Sequence, residues 1–240
     1  MNERCPMEML KHVTSVLYVD QLKSEPTGAL ILLHGSRGSG KEFYESIKNT
    51  LGEAALFPHV KLIFPTAPLT HYSPLGGAMV TTWFNISGFS MDAAEDEGHI
   101  NNIAHDLIQL VNHEVECGIP VSRIVIAGFS RGEGMSFHMG YRYIKGLAGV
   151  GVISSFLPTS SLVYKELRNC GKEPFPLLFH QHGVDDNLVD YNLAKKTFQN
   201  LQDLGVKGDH RSYDQLGHEI SKKELEEFYQ FIYSVIPDNL

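Results

Sequence analysis

The chain reads as a single α/β domain: a mostly parallel central sheet covered by helices on both faces. Three observations predict this. From Arg123 onward, short apolar runs alternate with helix-like stretches, the order that gives parallel strands joined by crossover helices. The apolar runs are continuous rather than alternating, as in strands buried on both faces. The 240 residues, 42% of them hydrophobic, are enough for one substantial core. No internal repeat, low-complexity tract or linker divides the chain. The domain is therefore taken as residues 1–240, with 1–11 as a flexible or loosely packed leading segment.

The elements follow in order. Val13 to Asp20 alternates loosely and predicts an edge strand. Ala29 to Leu33 is a continuous apolar run that opens onto His34-Gly35, which fits a buried strand and its loop. Val60 to Phe64 is another, stopped by Pro65 and Pro68. A loop rich in Gly, Pro and Ser runs from Thr66 to about Gly77. A helix is predicted from about Ala93 to Cys117, with Ile100, Ile103, Ala104, Leu107, Leu110, Val111 and Val115 on one face. Glu95, Asp96 and Glu97 sit near its start, where the helix dipole favours negative charge, and Gly118 and Pro120 end it. Then come a strand at Arg123–Ala127, a helix from Gly132 to about Tyr143, and strands at Leu147–Ser154 and Leu177–Gln181. Asp190–Leu204 is helical, His210–Tyr213 is a strand, and Ser221–Val235 is a final helix.

Composition excludes several functions. Net charge is −8 and no basic cluster stands out, so nucleic acid and anionic membrane surfaces are poor partners. No apolar run reaches the ~18 residues of a transmembrane helix. Met1–Leu10 lacks the apolar stretch of a secretory signal. Three cysteines (Cys5, Cys117 and Cys170) with no C-x-x-C spacing suit a reducing cytoplasm better than a disulfide framework. Cys5 is read as a plain thiol rather than a lipid attachment site.

The chemistry starts at Ile124-Val125-Ile126-Ala127-Gly128-Phe129-Ser130-Arg131-Gly132. A buried strand ends in Gly-x-Ser-x-Gly and a helix follows, which is the pattern of a nucleophile elbow. The glycines permit a sharp turn that lifts the serine Oγ out of the sheet. The same turn aims backbone N–H groups at charge developing beside the serine. A serine hydroxyl needs a base, usually a histidine oriented by a buried carboxylate. Such partners arrive on later strand ends, in the order Ser, Asp or Glu, His. The Leu177–Gln181 strand leads into His182-Gly183-Val184-Asp185-Asp186-Asn187, and the His210–Tyr213 strand into Gln215-Leu216-Gly217-His218. Ser130, either Asp186 or Asp185, and His218 therefore meet on one side of the sheet. Taken singly, such an aspartate or histidine is more often a turn or cap residue; the combination with the elbow makes the triad. Two N–H donors are expected for the oxyanion: Arg131, directly after the nucleophile, and Ser36, in the loop after the Ala29–Leu33 strand.

Leu33-His34-Gly35, Trp83-Phe84-Asn85, Asp92 to Glu97, Gly128-Phe129-Ser130, His182-Gly183 and Gly217-His218 together resemble the acyl-protein thioesterase and lysophospholipase family of serine hydrolases. Ser154-Ser155-Phe156-Leu157 is most similar to the lysophospholipase-like protein 1 branch. The resemblance spans about Ala29 to Pro237. It implies a single-domain α/β-hydrolase fold that cleaves acyl thioesters on proteins, or esters of lysophospholipids and small acyl substrates, without a cofactor. The family's aspartate stands four residues after its His-Gly histidine, which on His182 selects Asp186 over Asp185. The family's histidine falls on His218.

The chain departs from the pattern in three places. The family usually has Gln or Met and then two glycines after the nucleophile; here stand Arg131, Gly132 and Glu133. Glu133 is read as facing solvent and favouring the helix dipole. Asn85 replaces the usual Asp, which bears on loop anchoring.

Two other signals fail. Gly35-Ser36-Arg37-Gly38-Ser39-Gly40-Lys41 imitates a phosphate-binding loop, but Glu42 stands where a hydroxyl is needed, and a carboxylate there repels phosphate. His180 and His182, with Asp185, have the residue types of a metal cluster, but the triad explains that loop, and strand histidines are more often hydrogen-bonded core residues. The expectation is a cytoplasmic serine hydrolase acting through an acyl-enzyme, with no metal. Its substrate is an acylated protein or a small acyl ester, a role compatible with transient contact with a membrane surface. Leu75, Met79, Val80, Trp83, Phe84 and Phe89 are candidates for the acyl-binding wall or lid, although core packing explains some equally well. The competing readings are a short-chain carboxylesterase or lysophospholipase with no protein substrate, and a degenerate hydrolase used for binding.

Overall fold

A computed structural model describes residues 10–23, 25–170 and 174–238. Leu10 packs against the core; residues 1–9 of the expected leading segment lie outside the described residues. Seven strands form the main sheet. They are β1 (Ser15–Val19), β2 (Gly28–Leu33), β3 (Val60–Thr66), β6 (Ile124–Phe129), β7 (Gly149–Ile153), β8 (Leu177–Gly183) and β9 (Gly208–Tyr213). Their order is β1-β3-β2-β6-β7-β8-β9. Only β1 runs antiparallel, against β3; every other pair is parallel. A separate hairpin is made by β4 (Leu69–Tyr72) and β5 (Ala78–Thr81). The helices are α1 (Gly40–Leu51), α2 (Glu97–Glu116), α3 (Arg131–His138), α4 (Leu162–Asn169), α5 (Tyr191–Asp203) and α6 (Lys222–Val235).

The period of two in the strands divides the core. Ala29, Ile31 and Leu33 of β2 face α2 and α3, packing with Ile103, Leu107 and Met135. Leu30 and Leu32 face the other way, among Phe43 and Ile47 of α1 and Leu225, Phe228 and Ile232 of α6. A third cluster joins Val150 and Val152 of β7 to α4 and α5 through Val163, Leu167 and Leu201. Burial of this kind stabilises by roughly 25 cal/mol per Å² of apolar surface.

Several expected boundaries shift. β3 does not stop before Pro65: Pro65 pairs with Val16, and the strand runs to Thr66. The described β2–β3 pairing ends at Ile31 with Ile63, so the missing N–H costs no bond on that side. The expected loop from Thr66 to Gly77 holds β4 and the start of the hairpin, turning through a 3₁₀ segment at Ser73–Leu75. The long helix begins at Glu97, not Ala93, because Asp96 caps it, its side chain accepting from His99 N–H at 3.0 Å. Val115 is exposed rather than on the buried face. α3 ends at His138 and continues to Tyr143 as a π-helical turn. α1 and α4 have no counterpart in the sequence reading.

Candidate active site

β6 delivers Ser130 to the carboxyl edge of the sheet. Ser130 has φ +53° and ψ −119°, a left-handed backbone that a residue with a Cβ adopts only under constraint. The constraint is visible on both sides. Ser130 N–H donates to Ile153 O of β7 at 2.8 Å, and Ser130 O accepts from Glu133 N–H at 3.0 Å, opening α3. The flanking glycines are required by contact distance. A Cβ on Gly128 would stand 2.3 Å from Gly132 C, and one on Gly132 would stand 2.1 Å from Leu33 O. Both clashes are with backbone, so neither is relieved by a side-chain movement.

His218 lies in the loop between β9 and α6. Its Nε2 is 2.9 Å from Ser130 Oγ and its Nδ1 is 2.7 Å from Asp186 Oδ2. The carboxylate can only accept, so Nδ1 carries the proton and Nε2 presents its lone pair to the serine hydroxyl. Asp186 Oδ1 accepts from the N–H groups of Leu188 and Val189 at 2.9 and 2.8 Å. Burial pushes the Asp186 carboxyl up, but the His218 bond and these N–H donors outweigh it and hold it below its usual value. Asp186 is therefore an anion. Asp185, the alternative, is exposed and faces solvent. Neutral His182 braces the same loop, with Nε2 2.9 Å from Val189 O; burial lowers its pKa.

The turn after β2 lies against the elbow because β2 and β6 are adjacent and parallel. A Cβ on Gly35 would stand 3.4 Å from Ser130 Cβ. Ser36 occupies this turn, and Arg131 opens α3, where the first N–H groups have no intrahelical acceptor. The turn is fastened from outside. Ser36 Oγ and Thr82 Oγ1 are 2.9 Å apart, Arg37 N–H donates to Thr81 O at 2.8 Å, and Trp83 Nε1–H donates to His34 O at 2.7 Å. His34 is buried, and burial lowers its pKa. Its Nε2 accepts from Ala67 N–H at 3.0 Å and its Nδ1 is 2.6 Å from Gly35 O. In the sequence His34 is visible only as part of the His-Gly pair after β2.

This bracing revises two of the acyl-wall candidates. Trp83 and Phe84 are core residues, 1% and 0% exposed, and offer no surface to an acyl chain. Val80 and Phe89 are half-buried against Tyr72, Ile86 and Phe156. Leu75 and Met79 are exposed on the hairpin. Asn85 does anchor its loop: Oδ1 accepts from Ser73 N–H at 2.8 Å and Nδ2–H donates to Ser73 Oγ at 2.9 Å. In the phosphate-loop imitation, Ser39 caps α1 and the Glu42 carboxylate sits on that cap.

Glu133 is fully buried, contrary to the expectation that it faces solvent. All eight residues of α3 are buried, since the helix lies over β6 and β7 between neighbouring helices. Arg131 is 2% exposed, its guanidinium 4.8 Å from the Phe84 ring and bonded to Ser155 Oγ at 3.1 Å.

Residues 15–236 match the family model for phospholipase/carboxylesterase proteins. The chain is 40% identical to mouse lysophospholipase-like protein 1 over 229 residues, covering 94% of this chain and 95% of that protein. It is 33% identical to acyl-protein thioesterase 1 of Schizosaccharomyces pombe, over 88% of this chain and 92% of that one. Among solved structures, acyl-protein thioesterase 2 of Zea mays superimposes with a TM-score of 0.76 at 23% identity, covering 92% of this chain and 99% of that chain.

Proposed function

The chain belongs to the phospholipase/carboxylesterase family of hydrolases, and from that premise we propose that it cleaves acyl thioesters or carboxylic esters through Ser130, His218 and Asp186. The observation that carries this reading is the unbroken line from Ser130 Oγ through His218 to Asp186, at 2.9 and 2.7 Å. Ser130 Oγ attacks the acyl carbon as His218 Nε2 takes its proton. Asp186 stays ionised and stabilises the imidazolium. The N–H groups of Ser36 and Arg131 receive the oxyanion of the tetrahedral intermediate. The imidazolium returns its proton to the leaving thiolate or alkoxide, and an acyl-enzyme remains. Water, deprotonated by His218, then releases the carboxylic acid and regenerates Ser130.

The names of two relatives support the substrate class. One is named an acyl-protein thioesterase and another a lysophospholipase-like protein. Acylated cysteine in a protein and small acyl esters share the carbonyl that the site addresses. No helix among the described residues is long and apolar enough to cross a membrane. We place the enzyme in the cytoplasm, acting on acyl groups presented to it from a protein or a bilayer surface, with no metal or organic cofactor.

One experiment tests the shared intermediate. An S-acyl cysteine peptide and an oxygen ester with the same acyl chain are hydrolysed in the presence of added methanol. The ratio of methyl ester to free acid should be the same for both, because both pass through one acyl-Ser130. Ratios that depend on the leaving group would contradict the acyl-enzyme. Turnover of neither substrate by the folded protein would remove the function.

A further inference from the structure

Glu133 sits in the first turn of α3, where its N–H donates to Ser130 O at 3.0 Å. It is fully buried, and apart from the backbone of Ser155 its carboxyl has no hydrogen-bond partner. Opposite stands His180 of β8, also fully buried, whose Nε2 is 3.3 Å from Glu133 Oε1 and is likewise unpartnered. The other nitrogen of that ring, Nδ1, is 3.1 Å from Nδ1 of His210 on β9. Two facing ring nitrogens require one N–H and one lone pair. With the proton on His210 Nδ1, His180 Nε2 would be a donor; with the proton on His180 Nδ1, its Nε2 is an acceptor. A carboxylate is also an acceptor, and two acceptors leave each other orphaned. One proton on Glu133 Oε1 turns the two orphaned atoms into a donor facing an acceptor.

We infer that Glu133 is a positioning residue: a protonated carboxyl directed at His180 Nε2, which holds the first turn of α3, with Ser130 and the Arg131 N–H, against the strands that lead to Asp186 and His218. The chain Glu133, His180, His210 crosses from α3 to β8 to β9. Beyond β8 lies the loop that carries Asp186, and beyond β9 the loop that carries His218. The inference rests on the serine mechanism proposed above.

The surrounding charges agree. Burial pushes the Glu133 carboxyl well above its usual range, opposed by Arg131 and the Ser155 backbone N–H and reinforced by Asp186. Arg131 stacks on Phe84 and bonds Ser155 in place of an ion pair with Glu133. Burial, with His210 and His182 beside it, pushes His180 well down against the opposing effect of the Ser155 backbone. Burial, His182 and Lys195 of α5 lower His210 to about 4. Near Arg131, Glu95 is paired with His138 at 3.2 Å. These directions favour the proton on the carboxyl. An uncharged Glu133 also keeps a negative charge away from the developing oxyanion.

The test compares Glu133→Gln, whose amide can donate to His180 Nε2, with Glu133→Leu, which cannot. Glu133→Gln should keep kcat within about threefold of wild type, whereas Glu133→Leu should lower kcat about tenfold or more with KM little changed. A loss in Glu133→Gln as large as in Glu133→Leu would overturn the inference, as would full activity in Glu133→Leu. Two readouts are independent of turnover and remain if Glu133→Leu does not fold. A carboxyl that binds its proton more tightly when folded stabilises most below its unfolded pKa of about 4.3, and that contribution is lost as pH rises toward the folded value. The unfolding equilibrium constant of wild type relative to Glu133→Gln should therefore rise with pH above about 5, by up to about tenfold per unit. A flat ratio between pH 5 and 8 would show an ionised Glu133. At pH 8, above the value of about 7 to which burial raises the Glu224 carboxyl, the infrared difference spectrum of wild type minus Glu133→Gln should contain the C=O stretch of a protonated carboxyl; its absence from the difference would overturn the inference while leaving the serine mechanism intact.

Discussion

Ser130→Ala should lower kcat by at least about 10³-fold while leaving the fold unchanged. The substitution removes the attacking Oγ and the 2.9 Å bond to His218, and little else. Alanine keeps the Cβ, so the strain of the positive φ is the same in both proteins. Ser130 N–H and O retain their bonds to Ile153 and Glu133, which hold the elbow. Circular dichroism and thermal unfolding should match wild type. The check is steady-state hydrolysis of an activated ester, with the spontaneous rate subtracted. Turnover near the wild-type level by a folded Ser130→Ala protein would exclude the serine as nucleophile.

Asp186→Asn should cost about 10³- to 10⁴-fold in kcat/KM, and Asp185→Asn less than about threefold. The asymmetry follows from donors and acceptors. Asp186 Oδ1 is held by two N–H groups, so in the asparagine variant the oxygen stays there and the NH₂ replaces Oδ2. That NH₂ faces His218 Nδ1 at the position of a 2.7 Å bond. Two donors cannot face each other, so the ring takes the other tautomer and Nε2 carries the proton. It then donates toward Ser130 and no longer accepts its proton. Asp185 is exposed and its carboxylate has no such place. The two variants compared on one activated ester decide the matter; a larger loss at Asp185 would mean that the loop register is wrong in solution.

The difference between what was legible and what was not follows from packing. Ser130, Asp186 and His218 announce themselves by chain order at strand ends, and that order is fixed by parallel topology rather than by side-chain detail. The choice between Asp186 and Asp185 was open on the residues alone, because both fit the loop; the resemblance to the family selected Asp186. In the structure the distinguishing feature is the local turn in which Asp186 accepts the Leu188 and Val189 N–H groups. Glu133 misled for a related reason. Arg131-Gly132-Glu133-Gly134 reads as a polar helix start, and a carboxylate there suits the dipole in water. α3 has no face toward water, since every one of its residues is buried. Periodicity carries no warning of this, because a helix buried on all sides has no stripe. The hairpin β4–β5 was hidden by its Gly and Pro content, and α1 by an apolar stripe of little more than Phe43, Ile47 and Leu51. Trp83 read as an acyl wall because an aromatic beside a loop suggests a ligand; its indole N–H on His34 O shows a brace for the turn that carries Ser36.

The central claim is that one serine becomes covalently acylated. The most direct measurement is tandem mass spectrometry of the protein after brief exposure to a fluorophosphonate, which reacts with serines activated by a base. The account predicts a single adduct on the peptide containing Ser130, stoichiometric with lost activity and blocked by prior addition of an ester substrate. Complete inactivation with the adduct elsewhere, or full activity after Ser130 is modified, would contradict it.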